Sequence, residues 1–415
     1  MESTSVVQLN RWSNRLKAVA IGLILALTAL TVRHWYGTFM YGHPPCDDCR
    51  SDFPCFYAAA KLIWQSPSAL YDDASQLAIQ KTIDPRIGDS ILPFTYPPFT
   101  AVVYMPLGWL SFSAAFLAIT FINVMLLAFS LRLLITRLQL TRQQSTWLVL
   151  SGLCNFGVHS VLLQGQTSLI VLTLLAIFTA TIQNHRQIGA GLSAGLLFVK
   201  PQLQAVPFII LISRRWWHAL AIASTTAMAL AVFSIVLVGW PAIVEYMNLL
   251  NTYLTKERGY GSYPESMQNL RALAQYLVSY SWAPQLWFAL IVPVVAAIFL
   301  LNAKLGTDPN IAVVQWIGNF IAAVLITPHF NAHDLAVLII PTAFALKLFG
   351  EPVRSWLMLL VIGVGIYPLL ALVFGNHLPP MVPVVLLVIV FWCVHSVRRA
   401  TAHSGDRRRD AIVSV

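Results

Sequence analysis

The amino-acid sequence predicts an all-α polytopic membrane protein, and three observations lead to that fold class. Of the 415 residues, 58% are hydrophobic and only 10% are charged, whereas soluble domains carry about 25% charged residues. The apolar residues also come in runs of about 20, the length at which a helix crosses a bilayer. Finally, the basic residues collect in alternate short connections between these runs, as the positive-inside rule describes.

The first apolar run, 17–36, follows three basic residues and lacks a small-residue cleavage site. It is therefore interpreted as an uncleaved signal anchor, with the N-terminus in the cytoplasm. A long polar and aromatic outer loop follows, at about 37–97. Within it, Phe53–Gln65 and Asp72–Thr82 are predicted to form short helices that lie along the membrane surface.

The rest of the chain predicts a bundle of about 12 transmembrane helices with both termini inside. A second long outer loop, at about 239–283, is predicted to carry surface helices as the first one does. Pro106 and Gly108 predict a break within the apolar run 98–135, which counts as one crossing. Further spans are predicted at 147–163, 167–183, 188–199, 202–213, 216–238, 284–302, 311–327, 334–349, 355–374 and 381–397.

The net charge of +10 follows from this topology. It does not indicate nucleic-acid binding, because the basic residues form no groove-sized patch. Residues 1–400 are predicted to form one integral membrane domain, and 401–415 a disordered basic cytoplasmic tail. The predicted short outer connections contain one basic residue, Lys200. The predicted cytoplasmic connections contain Arg132, Arg137, Arg142, Arg186, Arg214, Arg215, Lys304, Lys347 and Arg354.

Asp52 is the leading candidate for chemistry on the predicted outer side. It begins the aromatic helix that continues with Phe53, Phe56 and Tyr57, and a carboxylate at a helix start is stabilised by the free amides there. The alternative, given equal weight, is that Asp52 only caps this helix.

Lys200 is the second candidate, because a lysine between two apolar helices is costly near a membrane unless it has a partner. A phosphate at headgroup depth would be a suitable partner, and Arg271 is the alternative phosphate ligand. The competing interpretation is that the Lys200 side chain reaches out to the membrane interface.

The segment from Thr327 to Asp334 is the third candidate. His329 and His333 can share one helical face, and with Asp334 they could bind a metal, but the sequence lacks a recognised metal motif. Hydrogen bonds to a sugar or a phosphate, or capping of the following helix, are favoured, and no metal is predicted.

Three cysteines, Cys46, Cys49 and Cys55, crowd the first long loop with His43. The set superficially resembles a zinc site, but an oxidising outer compartment favours a disulfide. Which cysteines would pair is left open.

Taken in order, the polar motifs resemble glycosyltransferase family 87, a membrane-embedded family of the GT-C superfamily. The resemblance extends over nearly the whole chain, although each motif is short. The matching elements are Asp52-Phe53, Phe56-Tyr57-Ala58-Ala59-Ala60, Leu70-Tyr71-Asp72, Phe94-Thr95-Tyr96-Pro97-Pro98, Pro106-Leu107, Gly165-Gln166, Lys200-Pro201, Gln268 with Leu270, Thr327-Pro328-His329 and His333-Asp334.

The resemblance implies a GT-C-like bundle that transfers a hexose, mannose in the best-known members, from a polyprenyl-phosphate donor to a lipid or glycan acceptor. Transfer would occur on the outer face of the cytoplasmic (inner) membrane, with inversion and without a cofactor. The chain departs from the family pattern in the cysteine-bearing loop and at Ser266–Asn269, where relatives often have Asn-Gln-Ser.

The resemblance also implies roles for the candidate residues. Because the donor phosphate is a good leaving group, a single carboxylate, Asp52, suffices as general base, whereas glycosidases use two. Lys200, with Arg271 or His329 as alternates, would hold the phosphate. The predicted sugar and acceptor contacts are Tyr57, Tyr96, Gln166, Gln268, His333 and Asp334.

Two other functions compete with sugar transfer. A secondary transporter or lipid flippase of this size should place polar residues on broken helices near the midplane, and the glycine-rich helix Gly189–Gly195 is the feature that favours it. A lipid-linked glycan polymerase or ligase would share the outer site but is expected to show more clustered arginines there.

Overall fold

The computed structural model describes residues 2–41, 51–83, 91–255, 267–303, 309–350, 353–373 and 379–413. These residues form helices and connecting turns, with no strand among them. The helices are α1 (Glu2–Tyr41), α2 (Phe53–Gln65), α3 (Asp73–Ile83), α4 (Pro98–Tyr104), α5 (Phe112–Arg137), α6 (Arg142–Leu153), α7 (Phe156–Gln164), α8 (Ser168–Gln183), α9 (Gln187–Leu196), α10 (Ala205–Ser213), α11 (Trp217–Val238), α12 (Trp240–Thr255), α13 (Leu270–Leu277), α14 (Ala283–Asn302), α15 (Pro309–Ile326), α16 (Ile339–Leu348), α17 (Val353–Val373) and α18 (Met381–Val413).

Within the described residues, five helices are long and apolar enough to cross a membrane, namely α1, α5, α11, α14 and α18. A sixth span results if α6 and α7, which meet at an angle of 49°, are counted as one. Five shorter apolar helices lie among them. The predicted class, an all-α membrane protein, is confirmed, whereas the count of about 12 crossings stays a prediction.

The predicted break in the run 98–135 is present, because a 3₁₀ helix at Met105–Trp109 separates α4 from α5. The two predicted helices of the first long loop also form, as α2 and α3. Most of α2 is buried in the protein, so it is part of the packed core. The second long loop, which was also predicted to carry helices but without bounds for them, contains α12 and α13.

The last helix, α18, continues without a break to Val413. It passes through 401–413, where the sequence analysis predicted disorder. The division into a membrane domain and a tail is not tested by this observation and stays a prediction.

Two glycines of α9 explain why this helix is rich in glycine. A Cβ atom at Gly191 would lie 2.6 Å from the Ala219 carbonyl oxygen, and one at Gly195 would lie 2.8 Å from the Ala223 carbonyl oxygen. These glycines let α9 and α11 approach closely, as small residues do between membrane helices. Helix packing therefore accounts for the feature that had favoured a transporter.

Gly165 joins α7 to α8 in the left-handed conformation, with φ of 59°. A Cβ atom at this position would lie 2.5 Å from Cδ2 of Phe53. The turn thus packs against the start of α2, and this contact brings Gln166 beside Asp52.

Replacing Gly165 with alanine is expected to destabilise the protein by at least about 1–2 kcal/mol, the cost of a left-handed backbone for a residue with a Cβ atom. The clash with Phe53 adds to that cost. The thermal unfolding midpoint in detergent measures the effect. The matched control is Gly363→Ala in α17, where a Cβ atom meets nothing within 4 Å. Equal midpoints for both variants would contradict the prediction.

The hydrophobic core of the described residues has three clusters, and the polar candidates lie where two of them meet. A small aromatic cluster contains Phe53, which follows Asp52, and Phe94, which lies two residues before Tyr96. The large cluster of the bundle contains Val199, which precedes Lys200. Packing of the two clusters therefore brings distant segments of the chain to one site.

Candidate active site

The side chains of Tyr96, Gln166 and Asp52 form a hydrogen-bonded chain that ends at the Asp52 carboxylate. The Gln166 side-chain amide donates from Nε2 to Oδ2 of Asp52. Oε1 of Gln166 accepts from the Tyr96 hydroxyl at 2.7 Å and from the Thr167 amide at 3.3 Å. Because both of these groups are donors, they fix which end of the Gln166 amide faces Asp52.

The interpretation of Asp52 as a helix cap is wrong. Asp52 precedes α2 but makes no side-chain capping bond. The Ser51 hydroxyl accepts from the Phe53 amide instead, at 3.2 Å, and donates to the Leu163 carbonyl oxygen at 3.1 Å. The helix start is thus satisfied without the Asp52 carboxylate, which remains available for another role.

Lys200 forms a buried ion pair with Asp334. Its Nζ atom lies 2.5 Å from Oδ1 of Asp334, and the two side chains are 1% and 0% exposed. The Ser168 hydroxyl donates to the same oxygen at 2.7 Å and lies 3.2 Å from the Lys200 Nζ atom. The interpretation of Lys200 as a side chain that reaches the interface is therefore wrong.

The other oxygen of Asp334 accepts a hydrogen bond from the main-chain N–H of Asn331 at 3.1 Å. Asp334 thus caps the 3₁₀ helix Ala332–Leu338 as well as pairing with Lys200, so the predicted capping function is present. Ser168 was missed by the sequence analysis. The available signal was its position just after Gly165-Gln166, at the first residue of an apolar helix.

The Asp52 chain and the Lys200 pair belong to one cluster. The Lys200 Nζ atom lies 5.8 Å from the centroid of the Tyr96 ring, within the range of a cation–π contact. The two charges also reach Asp52, because Lys200 acts to lower the pKa of Asp52 and Asp334 acts to raise it. The structure therefore brings together five of the residues predicted to share one site, namely Asp52, Tyr96, Gln166, Lys200 and Asp334.

The two carboxyl groups have different environments. Burial raises the pKa of Asp52 above its usual range, and the opposing effects of the Gln166 hydrogen bond and the Lys200 charge do not cancel it. Burial would also raise the pKa of Asp334, but Lys200, His333 and Ser168 together hold that pKa well below its usual range. Asp52 is thus the stronger base of the two.

The two histidines are neutral at physiological pH. Burial lowers the pKa of His329 to about 4 and that of His333 to about 3. The His329 Nε2 atom lies 3.1 Å from the Asn331 side-chain amide, and the His333 Nδ1 atom lies 3.2 Å from Oε1 of Gln164. In the described part of the chain, no three acidic, histidine or cysteine side chains are grouped to hold a metal.

The end of the second long loop packs against the His329 segment. The main-chain N–H of Gln268 donates to the Phe330 carbonyl oxygen at 2.6 Å. The Asn269 side-chain amide donates to the Thr327 carbonyl oxygen at 2.7 Å. Asn269 also caps α13 and so fixes the position of Arg271. The positive charge of Arg271 contributes to lowering the pKa of His329, so Arg271 is a second cation near the cluster.

Tyr57 differs from the other predicted contacts. Its hydroxyl donates to the Leu110 carbonyl oxygen at 2.8 Å, so a main-chain bond already uses it, and its contact with a sugar stays a prediction. Cys55 is a free, buried thiol. The other two loop cysteines, Cys46 and Cys49, and Ser266 lie outside the described residues, so the disulfide is not tested.

The fold and the cluster define a class of protein, an all-helical membrane protein with a buried carboxylate–amide–cation site at one end of its helices. The sequence profile of glycosyltransferase family 87 matches residues 94–328, which is more than half of the chain, and the chain belongs to that family. The matched residues include Tyr96, Gln166, Lys200 and Arg271, whereas Asp52 precedes them.

Two relatives carry the same descriptive name, polyprenol-phosphate-mannose-dependent α-(1-2)-phosphatidylinositol mannoside mannosyltransferase. The protein from Mycolicibacterium smegmatis is 25% identical over 51% of this chain and 48% of its own length. The protein from Mycobacterium tuberculosis is 33% identical over 20% of this chain and 22% of its own length. The chain thus matches about half of the first relative's length and less of the second's.

Proposed function

We propose that this protein transfers a hexose, with mannose favoured, from a polyprenyl-phosphate donor to a hydroxyl group of a lipid or glycan. The reaction takes place on the outer face of the cytoplasmic membrane and inverts the sugar carbon. Membership of glycosyltransferase family 87 and the names of the two relatives support the reaction class. The single observation that carries the mechanism is the Asp52 carboxylate, which Gln166 orients and no ion pair within the described residues occupies.

In the proposed reaction Asp52 removes the proton from the acceptor hydroxyl while that oxygen attacks the anomeric carbon of the donor sugar. The bond from the anomeric carbon to the phosphate oxygen breaks, and its electron pair leaves with the polyprenyl phosphate. The leaving group is already a stable anion and needs no protonation, so one base suffices. The raised pKa of Asp52 favours this role, because a stronger base takes the proton more readily.

The donor phosphate is assigned to the positive side of the cluster. Lys200 and Arg271 supply the charge, and His329 can only donate a hydrogen bond as a neutral ring, since its pKa is about 4. Asp334 is reassigned from sugar contact to positioning of Lys200, because both of its oxygens are already occupied. Tyr96, Gln166, Gln268 and His333 are retained as sugar and acceptor contacts.

The polyprenyl chain is assigned to an apolar cavity of about 380 Å³ between α15, α16, α17 and α18. Leu338, which ends the 3₁₀ helix that carries Asp334, lines this cavity together with Ile317, Ile321 and Leu357. Four residues of a 3₁₀ helix span about 8 Å, so the lining residue Leu338 lies about that far along the helix from Asp334.

The position of the cluster favours transfer over transport. Gln166 precedes α8, Lys200 follows α9, and His329 follows α15. The polar groups are therefore at the ends of apolar helices, whereas a transporter is expected to place them near the midplane.

A donor comparison tests this function. Membranes from cells that express the protein, and from cells that do not, are incubated with radiolabelled mannose on a polyprenyl phosphate or on a nucleotide. Transfer that depends on the protein is expected from the polyprenyl phosphate alone. Equal transfer from the nucleotide sugar, or no expression-dependent transfer from the polyprenyl donor, would contradict the proposal.

The pH dependence of kcat/KM is expected to report Asp52. The base must be ionised, so activity falls as the pH falls through its pKa, and that midpoint should lie above 3.8, the ordinary aspartate value. Gln166→Met removes a hydrogen bond to the charged form. It is expected to move the acid limb upward by about one pH unit.

A graded comparison separates this effect from general damage. Tyr96→Phe leaves Gln166 in place but removes the bond that orients it, so a smaller shift in the same direction is expected. The alkaline limb should not move in either variant. An acid limb that stays at its wild-type position in Gln166→Met would show that Asp52 is not the titrating base.

A further inference from the structure

A polar cavity lies at the opposite end of the helices from Asp52. It has a volume of about 200 Å³, and its lining includes His185, Arg214 and Trp216. Helix α8 runs from Ser168 in the candidate active site to a turn at His185, and its 16 residues span about 24 Å. The two sites are therefore separated by about the thickness of the apolar bundle.

Arg214 is the charged group of this cavity, and its side chain is half-buried. In the part of the chain that the structure describes, its guanidinium makes no hydrogen bond or ion pair. The described residues that line the cavity include no Asp or Glu. A guanidinium partly withdrawn from water in this way is costly unless an anion accompanies it.

The neutral polar groups of the cavity do not neutralise Arg214. Asn302 and Asn319 bond to each other through both of their amides, at 2.8 and 3.0 Å. Gln315 donates to the Leu301 carbonyl oxygen at 2.7 Å. These bonds form the cavity wall, so no group of the described residues that line the cavity neutralises the positive charge of Arg214.

The surroundings also favour an anion. Arg186 and Arg215 are exposed at the same end of the bundle and add to the positive potential there. Ala312, in the first turn of α15, lines the cavity, so the positive end of that helix dipole lies close to it. The planar fork of an arginine matches the oxygens of a phosphate.

We propose that this cavity binds a phosphate group through Arg214 and that an anionic membrane phospholipid supplies it. Basic cavities between membrane helices on the cytoplasmic side are suited to lipid head groups. Ile212 and Trp217, on either side of Arg214, are 49% and 59% exposed and offer an apolar surface for the acyl chains. The site is distinct from the proposed transfer site, and its test uses no sugar donor.

The test compares the purified protein in nanodiscs of phosphatidylglycerol and of phosphatidylcholine. Phosphatidylglycerol is expected to raise the thermal unfolding midpoint of the wild type, and Arg214→Gln should abolish that rise. Titration of phosphatidylglycerol into detergent-solubilised protein should give about tenfold weaker binding for Arg214→Gln, the value of one charged hydrogen bond. Arg215→Gln, which removes an exposed neighbouring charge that does not line the cavity, is the matched control and should lose much less of the effect than Arg214→Gln.

Inorganic phosphate added to the protein in phosphatidylcholine nanodiscs distinguishes the source. A rise in the midpoint that depends on Arg214 would show that the cavity binds phosphate, but that free phosphate and not a phospholipid supplies it. Arg214→Lys, which keeps the charge but not the fork, should retain part of the effect and replaces the glutamine variant if that one fails to fold. The proposal is overturned if neither ligand acts, or if the Arg214 and Arg215 glutamine variants lose the effect equally.

Discussion

Replacing Asp52 with asparagine is expected to reduce kcat for sugar transfer by about 10²–10⁴-fold, the contribution of a positioned general base. Asparagine has nearly the same shape, and its carbonyl oxygen can still accept the hydrogen bond from Gln166. It has no charge with which to take the acceptor proton. The fold should be unaffected, because the start of α2 is capped by Ser51 and not by Asp52.

The measurement is transfer of radiolabelled sugar from a polyprenyl phosphate by the purified variant, with the thermal unfolding midpoint as a check on folding. Asp73→Asn is the matched control, because that carboxylate is exposed at the start of α3 and lies outside the cluster. If Asp52→Asn keeps a rate within tenfold of the wild type, Asp52 is not the base.

Replacing Lys200 with methionine is expected to destabilise the protein by about 3–5 kcal/mol, the cost of leaving one member of a buried ion pair without its partner. Asp334 would remain 0% exposed with an uncompensated charge. The effect on stability should therefore exceed the effect on donor binding that the sequence alone suggested. Asp334→Asn should be destabilising for the converse reason.

The double variant Lys200→Met/Asp334→Asn removes both charges and keeps the oxygen that accepts from Ser168. It should be clearly more stable than either single variant, because no unpaired charge is left in the interior. Thermal unfolding in detergent measures all three. Lys61→Met is the control, since Lys61 is only partly buried above the Tyr57 ring, and its cost should stay below about 1 kcal/mol. A Lys200→Met protein as stable as the wild type would contradict the prediction, because it would show that the buried Asp334 does not need Lys200 as its partner.

Much of the helical architecture could be predicted from local patterns. The helix Phe53–Gln65 was predicted to the residue, and Pro106 with Gly108 marked a real break before α5. Apolar runs show where helices form because each helix satisfies its own main-chain hydrogen bonds. The bounds of α12 and α13 could not be predicted, because neither helix contains an apolar run long enough to cross a membrane.

The candidate site was predicted as a set of residues but not as a set of contacts. The bond between Gln166 and Asp52 joins positions 114 residues apart, and that between Lys200 and Asp334 joins positions 134 apart. A sequence pattern can place such residues at the same side of a membrane. It cannot show that Lys200 pairs with a carboxylate, or that Ser168 completes the pair.

The sequence by itself determined that the chain is a helical membrane protein and which polar residues gather at one end of it, because hydrophobicity and charge act locally along the chain. Only the tertiary structure decided which carboxylate is paired and which is available. That choice depends on burial and on partners brought together by packing, since the pKa values of Asp52 and Asp334 move in opposite directions within one cluster.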